Sequence, residues 1–243
     1  SWLRHPIHAY LRKFHNQCQL TLVPSEDLRA TLASQRFERL AVVARGVDTE
    51  RFAPARRDPA LRAQWGAGPQ DPVLLCVGRL AAEKNLELLL DAYASLRQRC
   101  PQARLVLVGD GPERERLSQR CPEAVFCGQQ IGTALAVHYA SADLFAFPSL
   151  HETFGNVVPE GLASDYAAAA KLLREGSAGR LVPLGQRQAT RDAFCEAVAA
   201  LGSQPAELRS AAQAARAVAL RQGWPAIVAG VEGHYRALLA PST

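Results

Sequence analysis

The fold is decided by residues 72–112, which read PVLLCVGRLAAEKNLELLLDAYASLRQRCPQARLVLVGDGP. Two runs of consecutive apolar residues, VLLCV and LVLV, flank a longer stretch in which the apolar positions recur every three or four residues. These positions are Leu86, Leu89, Leu90, Tyr93 and Leu96. The spacing predicts a helix with one buried stripe, and the uninterrupted runs predict strands that are buried on both faces. A strand, a helix and a second strand of this kind indicate a parallel sheet covered by helices.

The same alternation continues along the chain. The apolar runs AVFCG (124–128) and LFAFPS (144–149) are each followed by a stretch with helical spacing. We therefore predict an α/β fold with a Rossmann-like doubly wound parallel sheet. One place disagrees with the alternation, because the predicted helix GNVVPEGLAS (155–164) is not followed by an apolar strand. Asp165 and Tyr166 lead instead into an alanine-rich stretch that we expect to be helical.

The composition excludes several classes of protein. With 243 residues, 48% of them hydrophobic and 21% charged, the chain is expected to bury a large core, which excludes disorder and a disulfide mini-scaffold. A net charge of +5 favours anionic partners, but no block of like charges indicates binding to nucleic acid. Neither an apolar run of about 18 residues nor a signal-peptide pattern is found, so no membrane-spanning helix is expected. The six cysteines form no CxxC pair, which indicates a reducing, cytoplasmic location and no zinc site.

Ligands of open parallel sheets bind at the carboxyl ends of the strands, so the residues that follow each strand are the candidates for a site. After the first strand come Gly78 and Arg79, and Lys84 follows at the start of a helix. A guanidinium fork, an ammonium and a helix N-terminus together suit a diphosphate. The alternative is that both side chains are ordinary surface cations, and the spacing alone does not separate the two interpretations.

Glycines follow the next two strands. Gly109 and Gly111 belong to a Gly-Asp-Gly-Pro sequence, which is more typical of a structural turn than of a ligand site. Gly128 ends the strand after that, where exposed peptide groups could hold the edge of a base. That signal is weak, since no residue type there requires it.

Two carboxylates give the strongest signal. Glu152 lies in the loop after the run LFAFPS, and Glu160 lies within the following predicted helix, which Gly155 and Asn156 open. Carboxylates accept paired hydrogen bonds from the vicinal hydroxyls of a ribose or a hexose, and the amides of a helix start can meet an anion. His151 and His138 are interpreted as surface or packing residues.

The order of these motifs resembles the donor-binding half of the retaining glycosyltransferases of family four, which have the two-lobed GT-B fold. The resemblance rests on Gly-Arg-Leu-x3-Lys from Gly78, Val-Gly-Asp-Gly-Pro from Val108 and Pro-Ser-x2-Glu-Thr-Phe-Gly-x4-Glu from Pro148. It extends from about Leu20 to Tyr235 and includes RGVDTERF (45–52), which is similar to the segment between the two lobes.

The resemblance implies a role for each matched residue. The catalytic residues would be Arg79 and Lys84, which would hold the diphosphate and stabilise the departing nucleotide, together with Glu152 at the donor sugar. Glu160 would bind the ribose hydroxyls. The full set of implied donor-binding residues is Gly78, Gly109, Gly128, Gln129, Thr153, Phe154, Gly155, Asn156 and Glu160. No metal and no cofactor are expected, because the chain has no Asp-x-Asp motif and the nucleotide sugar is a substrate.

The resemblance also implies the domain organisation. The expected parts are a remnant of the N-terminal acceptor lobe with the crossing between lobes (1–50), a Pro-, Gly- and Arg-rich linker (51–71), the donor-binding domain (72–222) and a terminal helix that packs back toward the first lobe (223–243). Only about fifty residues precede the linker, where the family has well over a hundred. The sequence between Ser164 and Asp165 also lacks the family's Gly-x-Pro-Val-Val-Ala. We therefore expect that this truncated hexosyltransferase can be inactive by itself.

The predicted function is the transfer of a hexose from a UDP-sugar or GDP-mannose to a lipid or saccharide acceptor, with retention of configuration and without a metal. One alternative is a nucleotide-binding module that lacks transfer activity or depends on a partner chain. Another is a glycoside hydrolase that uses Glu152 and Glu160, one of which would need a raised pKa. Arg79 and Lys84 argue against this alternative, because nearby cations would keep both acids ionised. The basic aromatic start of the chain could contact an anionic membrane, or it could be the exposed side of the truncated lobe.

Overall fold

A computed structural model of the chain describes residues 4–148, 167–168, 182 and 186–240. Within these residues the helices are α1 (Arg4–His15), α2 (Glu26–Ser34), α3 (Pro59–Gln64), α4 (Leu86–Arg99), α5 (Arg114–Arg120), α6 (Gly132–Ser141), α7 (Arg187–Gly202), α8 (Pro205–Arg221) and α9 (Trp224–Leu239). The strands are β1 (Thr21–Val23), β2 (Leu40–Val42), β3 (Val73–Val77), β4 (Arg104–Val108), β5 (Val125–Phe126), β6 (Leu144–Phe145) and β7 (Ala167–Ala168). The chain divides into two compact units, one of Ser1–Gly46 with Gln222–Thr243 and the other of Val47–Arg221.

The larger unit is built on a parallel five-stranded sheet with the order β5-β4-β3-β6-β7. Within this sheet the first strand along the chain, β3, lies at the centre. β4 follows on one side of it and β6 on the other, so the strand order reverses at β3. The α/β class and the doubly wound parallel sheet predicted from the sequence are confirmed. The apolar stripe predicted for α4 is also confirmed, since all its members are buried.

The core lies on both faces of this sheet because the side chains of each strand alternate between them. Leu74 and Cys76 of β3 face a cluster that includes residues of α4 and α7. Val73, Leu75 and Val77 face a second cluster that includes residues of α6 and α8. The continuous apolar run of β3 therefore reflects a strand that is covered from two sides.

The expectation of a helix in the alanine-rich stretch is wrong at residues 167–168. These two residues form β7 and pair in parallel with Leu144 and Phe145 of β6. The open edge of β6 offers backbone donors and acceptors, and pairing with them outweighs the helical preference of alanine. The sheet thus gains a strand beyond β6 without the apolar run that normally marks one.

Residues 51–71 carry regular structure within the larger unit. A single 3-10 turn spans Pro54–Arg56 and is followed by α3, whose first turn is capped by Asp58. Arg62 of α3 is buried, and Trp65 packs its ring 5.7 Å from that of His138. His138 was expected to be a surface or a packing residue, and the structure shows packing: it is buried, and its Nδ1 contacts the carbonyl oxygen of Ala134 at 2.8 Å.

The smaller unit contains the parallel pair β1 and β2 together with α1, α2 and α9. Its buried apolar side chains include Val23 and Phe37, and the rings of His8 and His15 of α1 lie against Phe37. The apolar side chains of α1, by contrast, are exposed; they are Ile7, Tyr10, Leu11 and Phe14. Among the helices that the structure describes, none is long and apolar enough to cross a bilayer.

Candidate functional site

Glycines align the carboxyl ends of three neighbouring strands. The amide of Gly78, after β3, donates to the carbonyl of Val108 at 2.9 Å, and the amide of Gly109, after β4, donates to Gly128 at 2.7 Å. Gly78 and Gly109 have φ values of +149° and +135°, which L side chains rarely adopt. A Cβ on Gly109 would also overlap the carbonyl oxygen of Gly78. The three strand ends therefore approach closely because glycine occupies these positions.

The Gly-Asp-Gly-Pro turn after β4 holds the segment that carries Arg79. The amide of Leu80 donates to the carbonyl of Asp110 at 2.9 Å, and the carbonyl of Leu80 accepts the amide of Glu113 at 3.0 Å. A Cβ on Gly111 would overlap that same carbonyl oxygen of Leu80. The turn thus has the structural function that its sequence predicts, and it also fixes the backbone next to Arg79.

Arg79 and Lys84 line one shallow depression at the carboxyl end of β3. Arg79 is exposed, and its Nη1 lies 3.9 Å from Glu83, with 68% and 54% of the two side chains exposed. A pair this open to solvent contributes little to stability, so the guanidinium can exchange partners. Lys84 is half-buried and ends a 3-10 turn, Ala82–Lys84. The structure therefore brings together the two cations that the sequence singled out.

The helix α4 begins at the edge of the same depression. Asn85 precedes it in the left-handed conformation (φ 52°, ψ 44°), which turns the chain from the 3-10 turn of Lys84 into the helix. Leu86, the first helical residue, is one of the lining residues. The free amides of a helix start favour an anion, which adds to the positive charge of Arg79 and Lys84.

Cys76 and Phe147 belong to the apolar part of the depression. Burial raises the pKa of the Cys76 thiol to about 12, and the positive charge of Lys84 opposes this shift. The thiol is therefore uncharged at neutral pH, and the charge of this site comes from the cations. Phe147 was not among the site residues predicted from the sequence. The sequence signal that could have identified it is its position at the end of an apolar run, where a predicted strand ends.

The region expected to line the base lies after β5. Gln129 is exposed, and the side-chain amide of Gln130 donates to the carbonyl of Cys127 at 2.8 Å. Gly128 adopts a φ of +66°, and the guanidinium of Arg114 lies over the ring of Phe126 at 5.9 Å. The structure places these residues beside the carboxyl end of β4, next to the glycine turn.

Several site residues predicted from the sequence lie outside the residues that the structure describes. They are Glu152, Thr153, Phe154, Gly155, Asn156 and Glu160. His151 lies outside them as well. Pro148 is the last described residue before these positions, and it lines the depression. Its carbonyl accepts a hydrogen bond from the Asn85 side chain at 3.5 Å. The roles expected for these residues stay predictions.

The family model described as "Glycosyl transferases group 1" matches residues 71–204. The GDP-mannose-dependent alpha-mannosyltransferase of Mycobacterium tuberculosis is 38% identical over 237 residues, which cover 95% of this chain and 60% of that protein. The sulfoquinovosyl transferase of Arabidopsis thaliana is 37% identical over 197 residues, which cover 78% of this chain and 37% of that protein.

Solved structures resemble the chain in fold. Sucrose-phosphate synthase from Thermosynechococcus elongatus matches with a TM-score of 0.78 at 25% identity, over 97% of this chain and 62% of that one. HepE of Anabaena, crystallised with UDP and glucose, matches with a TM-score of 0.76 at 22% identity, over 95% of this chain and 66% of that one. The chain spans about 60% of the length of the first curated relatives that it matches.

Proposed function

The chain belongs to the family of group 1 glycosyl transferases, and from that membership we propose that its larger unit binds the nucleotide-sugar donor of a hexosyl transfer. The proposed donor is GDP-mannose, on which the M. tuberculosis relative depends by name. A UDP-sugar is the alternative donor. The acceptor would be a saccharide or a lipid that carries a free hydroxyl.

One observation carries this proposal: Arg79 and Lys84 line the same depression at the carboxyl end of the central strand β3. Two cations and a helix N-terminus offer charge and donors to a diphosphate. Ligands of doubly wound sheets bind where the strand order reverses, and here it reverses beside β3. A Cβ placed on Gly78 would meet no described atom within 4 Å, so a ligand could lie close to the backbone there.

The cations would also act in the reaction. As the bond between the hexose C1 and the phosphate oxygen breaks, the nucleoside diphosphate leaves with the electron pair and gains negative charge. Arg79 and Lys84 would stabilise that charge, which is the part of the transition state that differs most from the bound donor. The acceptor hydroxyl forms the new bond to C1 and gives its proton to the departing phosphate oxygen. We propose that the configuration at C1 is retained and that the two cations make a metal unnecessary.

Two carboxylates complete the proposal from the family resemblance. Glu152 would contact the donor sugar, and Glu160 would accept hydrogen bonds from the ribose hydroxyls. The amides of Phe154, Gly155 and Asn156 would complete the pocket. A second candidate function is nucleotide binding without transfer, for which the two cations and the helix start at the depression would suffice.

Thermal unfolding with nucleotides tests the donor proposal. GDP, GDP-mannose, UDP and UDP-glucose are each added with and without magnesium, because a ligand at a hundredfold its Kd stabilises the native state by about 2.7 kcal/mol. We expect stabilisation by GDP and GDP-mannose, the same with and without magnesium. Transfer is tested separately by following labelled mannose into saccharide and lipid acceptors, and binding without transfer would favour the second candidate.

Variants locate the binding. Arg79→Ala and Lys84→Ala should each abolish most of the stabilisation. Arg99→Ala removes a positive charge at the other end of α4, where its partner is the exposed Glu196, and should leave the stabilisation intact. Stabilisation that persists in both site variants would contradict the assignment of the depression, and no stabilisation by any of the four nucleotides would contradict the donor proposal.

A further inference from the structure

We infer that Phe147 is a positioning residue for Lys84, and that its ring holds the lysine ammonium at the depression where the diphosphate would bind. The Nζ atom of Lys84 lies over the face of the Phe147 ring, 5.5 Å from its centroid. A cation is attracted to a ring face at this distance because the face carries partial negative charge. The effect of this contact on nucleotide binding rests on the proposed function, but the contact itself can be measured without a nucleotide.

The Phe147 ring is held by a row of aromatic side chains. Its ring stacks on Phe145 with centroids 6.1 Å apart and planes at 26°, and Phe145 in turn lies 5.7 Å from Tyr139. Phe52 closes the row with its ring 5.8 Å from Tyr139. Phe145, Tyr139 and Phe52 are buried, so the row cannot easily reorient. Phe147 is thus the half-buried end of this row of rings, and it lies at the depression.

The backbone on both sides of the contact is also fixed. Phe145 pairs with Leu75 of the central strand, and the amide of Ala146 donates to the Leu75 carbonyl at 2.9 Å. On the side of the lysine, the side chain of Asn85 reaches the carbonyl of Pro148 at 3.5 Å. The segment that carries Phe147 is therefore joined both to β3 and to the end of the turn that carries Lys84.

The physical need for such a contact lies in the lysine side chain. A lysine has a flexible four-carbon stem and a point charge, and it does not have the planar fork of an arginine such as Arg79. A ring that limits the positions of the ammonium reduces the conformational entropy that is lost when a phosphate binds. The contact with Phe147 therefore contributes to the order of the Lys84 side chain.

The contact is tested by NMR on the whole chain after reductive methylation with labelled formaldehyde. The sequence contains three lysines, Lys13, Lys84 and Lys171, so the Lys84 dimethyl signal can be assigned by its loss in Lys84→Met. Methylation preserves the charge. We expect a ring-current shift of this signal to lower frequency relative to Lys13. The shift should vanish in Phe147→Leu and persist in Phe147→Tyr, which keeps the ring.

Phe194→Leu is the matched control, because it removes a buried ring from the core beside α7 and not from the row. It should leave the Lys84 signal unchanged. A Lys84 signal without a ring-current shift in the parent, or one that Phe147→Leu does not move, would overturn the inference.

The consequence for binding is tested by a double-variant cycle with GDP. Phe147→Leu should weaken GDP binding by about two- to fivefold in the parent and should have no further effect in the Lys84→Met background. Phe147→Tyr should restore the affinity. An equal loss in both backgrounds would mean that the ring does not act through the lysine and would overturn the positioning role. If the parent does not bind GDP, the proposed function fails, and the NMR measurement still decides whether Phe147 holds Lys84.

Discussion

The buried Arg62 and the half-buried Asp143 form an ion pair that joins the segment before β3 to the turn between α6 and β6. Nη1 of Arg62 lies 2.9 Å from Oδ2 of Asp143, and the same oxygen accepts the amide of Val73 at 2.9 Å. Nη2 of Arg62 donates to the carbonyls of Gly68 and Asp71, each at 2.7 Å. The pair therefore sets the starting ends of β3 and β6 side by side, and with them the opposite ends, where the depression lies.

Removal of one partner of this pair should be costly. Asp143→Ala leaves the charge of Arg62, only 3% exposed, without its carboxylate, and we expect a loss of about 3–5 kcal/mol in the free energy of unfolding. Urea unfolding measures it. Glu196→Ala is the control, because its pair with Arg99 is 42% and 61% exposed and should contribute at most about 1 kcal/mol. Equal losses in the two variants would contradict the structural role of the pair that Arg62 and Asp143 form.

Two glycine variants should change stability in opposite directions. Gly109→Ala places a Cβ against the Gly78 carbonyl at a φ of +135°, and we expect a loss of at least about 3 kcal/mol. Gly230→Ala lies within α9 with no atom within 4 Å of the new Cβ, and it should gain about 0.5–1 kcal/mol from helix propensity. Thermal unfolding of both variants checks the signs. A tolerated alanine at position 109 would refute the close approach of the two strand ends.

Cys76 should make the chain less stable in alkaline solution. Burial raises the pKa of its thiol to about 12 from an ordinary value of 9.0, so between these values the unfolded chain loses a proton that the folded chain keeps. The free energy of unfolding therefore falls as the pH rises from 9 toward 12, by at most about 1.4 kcal/mol per pH unit. Urea unfolding at pH 8, 9, 10 and 11 measures the slope, which Cys76→Ala should reduce.

Cys121→Ala provides the comparison for this slope. Burial also raises the pKa of Cys121, to about 11, so its replacement should reduce the slope as well. A slope that Cys76→Ala does not alter would refute the prediction.

Glu160→Gln should weaken nucleotide binding while the fold stays intact. In the proposed ribose-binding role, the variant would remove a charged acceptor from the ribose hydroxyls. Hydrogen bonds to charged groups are typically about 1.5–3 kcal/mol, which corresponds to roughly a tenfold loss or more. Calorimetric titration with GDP measures the Kd, and circular dichroism checks the fold. Glu196→Gln, on α7, is the matched control. An unchanged Kd in Glu160→Gln would refute the ribose assignment.

Local sequence patterns were sufficient for the central part of the fold. The run VLLCV is apolar throughout because β3 is covered on both faces, and the stripe of α4 repeats at helical spacing because one side of that helix is buried. Arg79 and Lys84 were likewise accessible from the sequence, since both follow the end of a predicted strand. These features depend on neighbours within about twenty positions, which a single sequence displays directly.

Contacts between distant segments were not accessible in this way. No pattern in the alanine-rich stretch marks β7, because its pairing comes from the free edge of β6 and not from its own residues. Similarly, nothing in the composition of residues 51–71 indicates that Arg62 reaches Asp143, 81 positions further along the chain. Both depend on which elements become neighbours after the chain has folded.

The sequence by itself determined the α/β class, the parallel strands and the two cations. Burial produces apolar runs and helical spacing among residues that are close in the chain, and the cations follow directly after such a run. Only the tertiary structure decided that β6 lies beside β3, and this pairing brings Phe147 under Lys84. The reason is physical: hydrophobic periodicity reports how each segment is buried, whereas the order of strands in a sheet is selected by the packing of all segments together.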